Sequence, residues 1–380
     1  MHDSTHEICT DTVRGIDRCR ERLAQKIEVA PLTLGFDGFI DHTYEIIDTR
    51  SGPDEHSLMN EMSDLIERIE SSIAMESSCT IEWKQNKVCA GGHTSHVGHA
   101  LSTLGFDLTL IGTFGTPIDD VFTDRFDQDE LVSVGEPTRT TAVEFDDGKI
   151  IFVAPETQIS LNWETLCEQV NLETLAEHVD GARFLGTGCW AKIPGTPSIW
   201  DGLRTELWPT LSDPPENILI DTGDIRQLDS SQITTGVESI LALENVVPVT
   251  VSANRAETIS LANHLSERSN FDSLINATET VRKSGLQVSR VVSHAATKAV
   301  LATEDDVTTV TTSYTDSPSV LLSAGDHFNT GFVLATILGL QGSASLVLAS
   351  AVAGFFVRNG QPPTHYQLYN FLDEYEDAIQ

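Results

Sequence analysis

The sequence predicts an α/β protein, a three-layer α/β/α sandwich on a mostly parallel central sheet, with a small β-lid. Two observations predict the sandwich. From residue 183 onward short apolar runs alternate with segments of helical periodicity, the pattern of βαβ units around a parallel sheet. Residues 331–357 carry no charged side chain, but Gly339, Gln341, Gly342 and Ser343 divide them into two apolar helices of the length that packs inside such a sandwich. A third observation predicts the lid: Val143, Phe145, Ile151 and Val153 flank the turn Asp146-Asp147-Gly148-Lys149, a β-hairpin that stands outside the βαβ series.

Taken in order, residues 13–27 read as a charged helix without apparent chemistry. Residues 32–41 (Leu-Thr-Leu-Gly-Phe-Asp-Gly-Phe-Ile-Asp) read as a buried strand ending in an acidic, glycine-containing turn. Ligands of open parallel sheets bind beyond the carboxyl ends of strands, so Asp37 and Asp41 are placed to reach a polar substrate, with turn formation the preferred reading for Asp41. Within 54–75 the spacing of Leu58, Met62, Leu65, Ile66, Ile69 and Ile73 is helical, and residues 79–89 alternate like a strand. A helix follows Gly91-Gly92, then a strand at 108–111. Later strands are expected at 183–185, 218–221, 247–251, 288–292 and 299–303, with helices near 198–207, 231–243 and 256–267 between them. No repeat, low-complexity run or linker divides the chain. Residues 1–380 are therefore expected to form a single domain, its discontinuous lid drawn from about 40–50, 79–90 and 139–154.

The charge balance excludes several functions. With 57 acidic against 23 basic residues and a net charge of −34, attraction to nucleic acid or to an anionic membrane surface is disfavoured. The acids are spread along the chain rather than gathered in a tail. That distribution suits a surface adapted to high salt, where the screening length falls to ~3 Å at 1 M, and a halophile's cytoplasm is the expected setting. The cysteines (Cys9, Cys19, Cys79, Cys89, Cys167, Cys189) include no C-x-x-C pair, and the polar, acidic start of the chain does not resemble a signal peptide. Reduced cytoplasmic thiols are expected.

The candidate chemistry centres on Leu322-Ser323-Ala324-Gly325-Asp326-His327-Phe328-Asn329-Thr330-Gly331-Phe332, where small residues lead into an apolar helix with a carboxylate at the junction. The first turn of a helix has N–H groups without intrahelical partners and a positive dipole end, so it accepts an anion. Ser323, Ala324 and Gly325 leave room for a phosphate, and Asp326 beside it could accept a hydroxyl proton; the structural alternative is an N-cap. The diglycine Gly91-Gly92 likewise opens a helix to close approach. His93, His96 and His99 tempt a metal reading. At spacings of three, however, they turn progressively around a helix that offers no Cys or acidic ligand.

These residues carry a resemblance. Gly91-Gly92 with His96 four positions on and then Leu104-Gly105, Asn254-Arg255-Ala256-Glu257 after a strand, Ser323-Ala324-Gly325-Asp326-x-Phe328-x-x-Gly331-Phe332, and Val357-Arg358-Asn359-Gly360 resemble, in order, the signatures of the PfkB (ribokinase-like) carbohydrate kinases. The resemblance runs from about residue 32 to 372. It implies a ribokinase-like fold and transfer of a phosphoryl group from ATP to a hydroxyl of a sugar or related small molecule. It also implies residue roles. Asp326 would be the base, and the backbone N–H groups around Ala324, Gly325 and Asp326, in the catalytic turn that Ser323 opens, would form the anion hole. Asp37, Gly91, Gly92 and His96 would meet the sugar. Asn254 and Glu257 would hold Mg²⁺ through water, with Lys298, Asn359 and Gly360 near the nucleotide and the lid closing to exclude water. A monovalent cation and a homodimer are further expectations of the resemblance.

The chain departs from the family pattern at three places. His96 replaces the usual Asn and puts the acceptor's identity in question. Ser323 replaces the first glycine of Gly-Ala-Gly-Asp. Ala295 and Lys298 in Ser293-His294-Ala295-Ala296-Thr297-Lys298-Ala299 replace glycines of the donor turn. A nucleoside or polyol kinase is the alternative enzyme, and a degenerate kinase that only senses sugar or nucleotide is the alternative of another class. Asp326, Asn254 and Glu257 favour the enzyme.

Overall fold

Parallel strands buried on both faces need apolar side chains pointing both ways, and the short runs of this chain supply them. In the computed structural model, which describes residues 2–27, 29–53, 55–266 and 270–379 (2–9 by backbone alone, so the side chain of Cys9 lies outside them), nine strands form one sheet. In spatial order they are Val307–Thr311, Lys298–Ala302, Arg290–His294, Val249–Asn254, Asn217–Asp221, Phe184–Thr187, Leu32–Gly35, Leu108–Gly112 and Glu130–Ser133. All pairings from Arg290–His294 to Glu130–Ser133 are parallel, and the two strands at the other edge are antiparallel. Alternation divides the side chains between two cores. Ile218 and Ile220 pack with Trp200 and Ile240 on one face, while Leu219 joins Leu334 and Leu348 on the other.

On that second face helix Ala324–Ile337 lies against helix Ser343–Asn359. The contact is close enough that a Cβ on Gly331 would stand 2.6 Å from Ala349 Cα and 2.7 Å from the Leu348 carbonyl oxygen, so the glycine is required by packing. Helix His2–Leu23 covers this pair with Ile16, Cys19 and Leu23. The Cys19 thiol donates to the Ala344 carbonyl at 3.2 Å, and burial pushes its pKa up to about 12. No helix among the described residues is long and apolar enough to cross a membrane.

The second, smaller sheet grows from the carboxyl end of the first. Strand Leu32–Gly35 turns at Phe36-Asp37-Gly38 and continues as Phe39–Arg50, which pairs antiparallel with Glu82–Gly91 and parallel with Thr138–Phe145. Gly148–Ala154 extends that edge, and His56–Leu58 pairs with the distal half of Phe39–Arg50. Helix Met62–Ala74 backs the sheet through Leu65, packed with Ile46, Met59 and Val143.

Several boundaries differ from the sequence reading. The first helix spans His2–Leu23 rather than 13–27. The expected strand 32–41 is two strands, one in each sheet, and Asp41 lies within the second rather than in a turn. Leu58 belongs to a strand, so the helix placed at 54–75 begins at Met62; the expected start at Asp54 and the expected helix end at Glu267 fall outside the described residues. Strand Glu130–Ser133 escaped notice because four residues show no clear period. Strand Val307–Thr311 escaped because its threonines serve an antiparallel edge that needs few apolar side chains.

Candidate active site

Helix Ala324–Ile337 sets the geometry. Its N-cap is Ser323, whose backbone is left-handed at φ 66°, a conformation that costs a non-glycine residue roughly 1–2 kcal/mol. This explains what a glycine would offer there. Asp326 is the third residue of the helix and not its cap, so the capping alternative fails. Its Oδ1 lies 2.9 Å from Nδ1 of His93, the first residue of helix His93–Thr103. Gly325, the residue before Asp326, has His294 Cε1 3.2 Å from where its Cβ would be.

The His93 ring is 2% exposed and lies flat against Gly188, where any Cβ would come within 2.1 Å of the imidazole. Burial opposes charge on this ring. The hydrogen bond to Asp326 and the fields of Asp221, Asp326 and Asp37 outweigh it and raise His93 to about 9. Burial also pushes the Asp326 carboxyl up; His93 opposes that shift, and Asp221 and Asp37 add to it.

The diglycine makes room for two carboxylates. Asp37, fully buried, accepts the backbone N–H groups of His93 and Thr94 at 2.8 Å each and so caps helix His93–Thr103. A Cβ on Gly92 would stand 2.5 Å from Asp37 Oδ2, and one on Gly91 would stand 2.0 Å from Asp41 Oδ2. Asp41 also accepts a short hydrogen bond from the Thr140 hydroxyl across the small sheet. His96, one turn further, is driven down to about 3 by burial and by Arg125, His327, His93 and His99, so it is a neutral imidazole.

On the other side of Asp326, Asp221 ends a central strand, accepting from Asn329 Nδ2 at 2.7 Å and from the Gly223 N–H at 2.9 Å. Asn254 and Glu257 form a capping box at helix Arg255–Leu265: Asn254 Oδ1 accepts the N–H groups of Ala256 and Glu257, while Glu257 accepts the Asn254 N–H at 2.8 Å and its Nδ2 at 2.6 Å. Burial, then the fields of Asp221 and Asp224, raise Glu257 to about 8. Carboxylates crowded in this way gain from a nearby cation.

A cavity of about 740 Å³ opens at the start of helix Ala324–Ile337. Ala324, Gly325, Asn254 and His294 form its polar end, and Ile259, Phe328, Leu321, Tyr314 and Val357 are among its walls. The His294 ring packs against Phe328, tilted by 31° with centroids 4.7 Å apart, and burial lowers its pKa to about 4. Lys298, Asn359 and Gly360, expected near the nucleotide, are not among the lining residues. Lys298 starts the strand next to the sheet's edge, Asn359 Nδ2 donates to the Phe355 carbonyl at 2.8 Å, and Gly360 ends the preceding helix at φ 69°.

The sequence reading missed His93, Asp221 and His294. His93 had a signal, since the residue after Gly91-Gly92 occupies the first turn of the very helix opened to ligand. Asp221 closes an apolar strand at its carboxyl end, where crevice residues are found.

Comparison with known proteins places this architecture. Over 91% of the chain it superposes on the whole of a ribokinase from Thermotoga maritima, with TM-score 0.61 at 15% identity. It matches an Arabidopsis thaliana ribokinase, solved with ribose and ATP, over 91% of this chain and 99% of that one, with TM-score 0.59 at 15% identity. The fold is therefore that of the ribokinase-like kinases. The prokaryotic ketohexokinase family model matches residues 8–375, and a ketohexokinase of Haloferax volcanii is 40% identical over 366 residues, 96% of this chain and 97% of that protein. The chain belongs to the prokaryotic ketohexokinase family. It is accordingly a carbohydrate kinase, a phosphotransferase with an alcohol group as acceptor.

Proposed function

We propose that the protein transfers the γ-phosphoryl group of ATP to a hydroxyl of a ketohexose, with Asp326 as the base. The observation that carries this reading is the junction at Gly325-Asp326, where the first turn of a helix meets both a nucleotide-sized cavity and a partly buried carboxylate. The apolar walls suit a purine. The polar end brings the phosphates to the N–H groups of Ala324, Gly325 and Asp326, which would stabilise charge on the transferring group. Asp326 takes the proton as the acceptor oxygen attacks phosphorus and the bond to the ADP oxygen breaks. Asp37, Gly91, Gly92 and His96 lie on the acceptor side, and the small sheet acts as the lid of the single domain. Asn254 and Glu257 would hold Mg²⁺ through water. No group of three or more His, Cys, Asp or Glu side chains suited to direct ligation occurs among the described residues. When bound, the ion offsets phosphate charge. Incubation with ATP and a panel of ketohexoses, aldoses, nucleosides and polyols in molar KCl, read by mass spectrometry, tests the reading. Phosphorylation of a nucleoside in preference to any hexose would overturn it, and so would binding without turnover.

His96→Ala is expected to raise the KM for the sugar at least about tenfold while changing that for ATP little, since a lost hydrogen bond to a substrate hydroxyl costs on the order of 1.5 kcal/mol. Equal effects on both constants would return His96 to helix packing.

The setting follows from the surface. A net charge of −34 favours a halophile's cytoplasm, and the fold is expected to melt at a markedly lower temperature in 50 mM salt than in 2 M KCl. Coincident melts would refute this. A second copy of the chain is the proposed partner. It would cover Ile151, Phe152 and Val153 on the outer strand of the small sheet, which are 48%, 58% and 48% exposed. Light scattering in KCl reads the assembly.

A further inference from the structure

We infer that His93 is a positioning residue for phosphoryl transfer, an internal cation that keeps Asp326 ionised and aimed at the acceptor hydroxyl. The inference rests on the reading of Asp326 as base.

The geometry is specific. Nδ1 of His93 meets Oδ1 of Asp326 at 2.9 Å, which leaves Oδ2 of the carboxylate to receive a proton. The ring has no freedom to leave. Gly188 supplies a bare backbone for it to lie on, and Asp37 fixes the turn that carries it by accepting the His93 and Thr94 N–H groups. Among the described residues Nε2 of the ring is buried without a hydrogen-bond partner, and the one hydrogen bond this side chain makes with them is to Asp326. A merely structural histidine would be expected to satisfy both nitrogens.

The electrostatics explain why a cation is needed. Burial favours the protonated, catalytically idle form of Asp326, and the charges of Asp221 and Asp37 add to its effect. The other groups around the ring are His96 on its own helix, which is neutral, and Cys189 next to Gly188, whose thiol burial holds well above its usual range. Lys192, beyond Cys189, is exposed and lies over the Phe39 ring. His93 is thus the buried group able to place positive charge on Asp326.

Two experiments decide the inference. In the first, imidazole ¹⁵N spectra of the ligand-free protein are followed against pH, with the His93 signal assigned by its loss in His93→Gln. The ring is expected to titrate near 9 in the parent and about 1–3 units lower in Asp326→Asn. An unchanged titration overturns the pairing whatever the substrate proves to be. In the second, turnover is measured across pH. His93→Gln keeps a hydrogen-bond donor but no charge, so kcat is expected to fall about 10–100-fold and the acidic limb of kcat/KM to move to higher pH, with the KM for ATP little changed. A lower rate with an unmoved limb would make His93 structural and overturn the inference. If the parent phosphorylates no ketohexose, the substrate reading fails, and the profile is taken with whichever acceptor the panel reveals.

Discussion

Asp326→Asn is expected to lower kcat by about 10²–10⁴-fold while the nucleotide still binds and the chain still folds. Asparagine preserves the size of the side chain and can accept a hydrogen bond from His93, but it cannot take a proton from an attacking hydroxyl. Loss of one partner from a buried ion pair is usually costly because the other charge is stranded. Here the imidazole can release its own proton, so no charge is left alone. Asp326 is not the helix cap, since that position belongs to Ser323, and the substitution therefore removes no capping hydrogen bond. Melting temperature, ATP affinity and turnover measured on the same preparations check the expectation. A variant with parental turnover would remove Asp326 from the chemistry and leave the anion hole as the principal source of catalysis.

Gly331→Ala is expected to destabilise the protein by about 1–3 kcal/mol, although alanine is the better helix former by roughly 1 kcal/mol. The new methyl would meet the Leu348 carbonyl oxygen at 2.7 Å and Ala349 Cα at 2.6 Å. Both are backbone, so neither can rotate aside. Helix Ala324–Ile337 must move outward, and it carries Asp326 at its start. A displacement of even about 1 Å at that carboxylate can cost on the order of 10²-fold in rate, so stability and kcat should fall together. Denaturant titration with turnover in the same buffer reads both. An alanine variant with unchanged midpoint would show that the helix pair has slack.

Gly331 also illustrates how much was legible in advance. The sequence marked it as part of a signature, and the fold gives its reason as the approach of two helices rather than contact with a ligand. The alternation of apolar runs located the central strands from 184 to 294, because parallel strands covered on both faces must be continuously apolar. The two buried helices near the C-terminus were visible for the same reason. What stayed hidden depends on residues far apart in the chain. His93 and Asp326 are separated by 233 positions, and no local period encodes their meeting. Gly91 and Gly92 were read as an opening for ligand, whereas each also makes room for a carboxylate, Asp41 in one sheet and Asp37 at the end of the other. Lys298 and Asn359 were placed near the nucleotide by analogy of position, and the side chains lining the cavity are instead His294, Tyr314 and Phe328.

The apolar cavity has a consequence for encounter. A chain of charge −34 repels a polyanionic nucleotide at a distance, so the long-range steering that speeds many kinases toward ATP works here in reverse. Salt that screens the repulsion also weakens ionic grips on the phosphates. On the proposed reading, walls formed by Ile259, Phe328, Leu321 and Val357 would take their hold on a flat base from its exclusion from water, which molar salt leaves intact or strengthens. Nucleotide capture in this protein should accordingly quicken as ionic strength rises and lose little in residence time, the opposite of an enzyme that draws its nucleotide in with lysines.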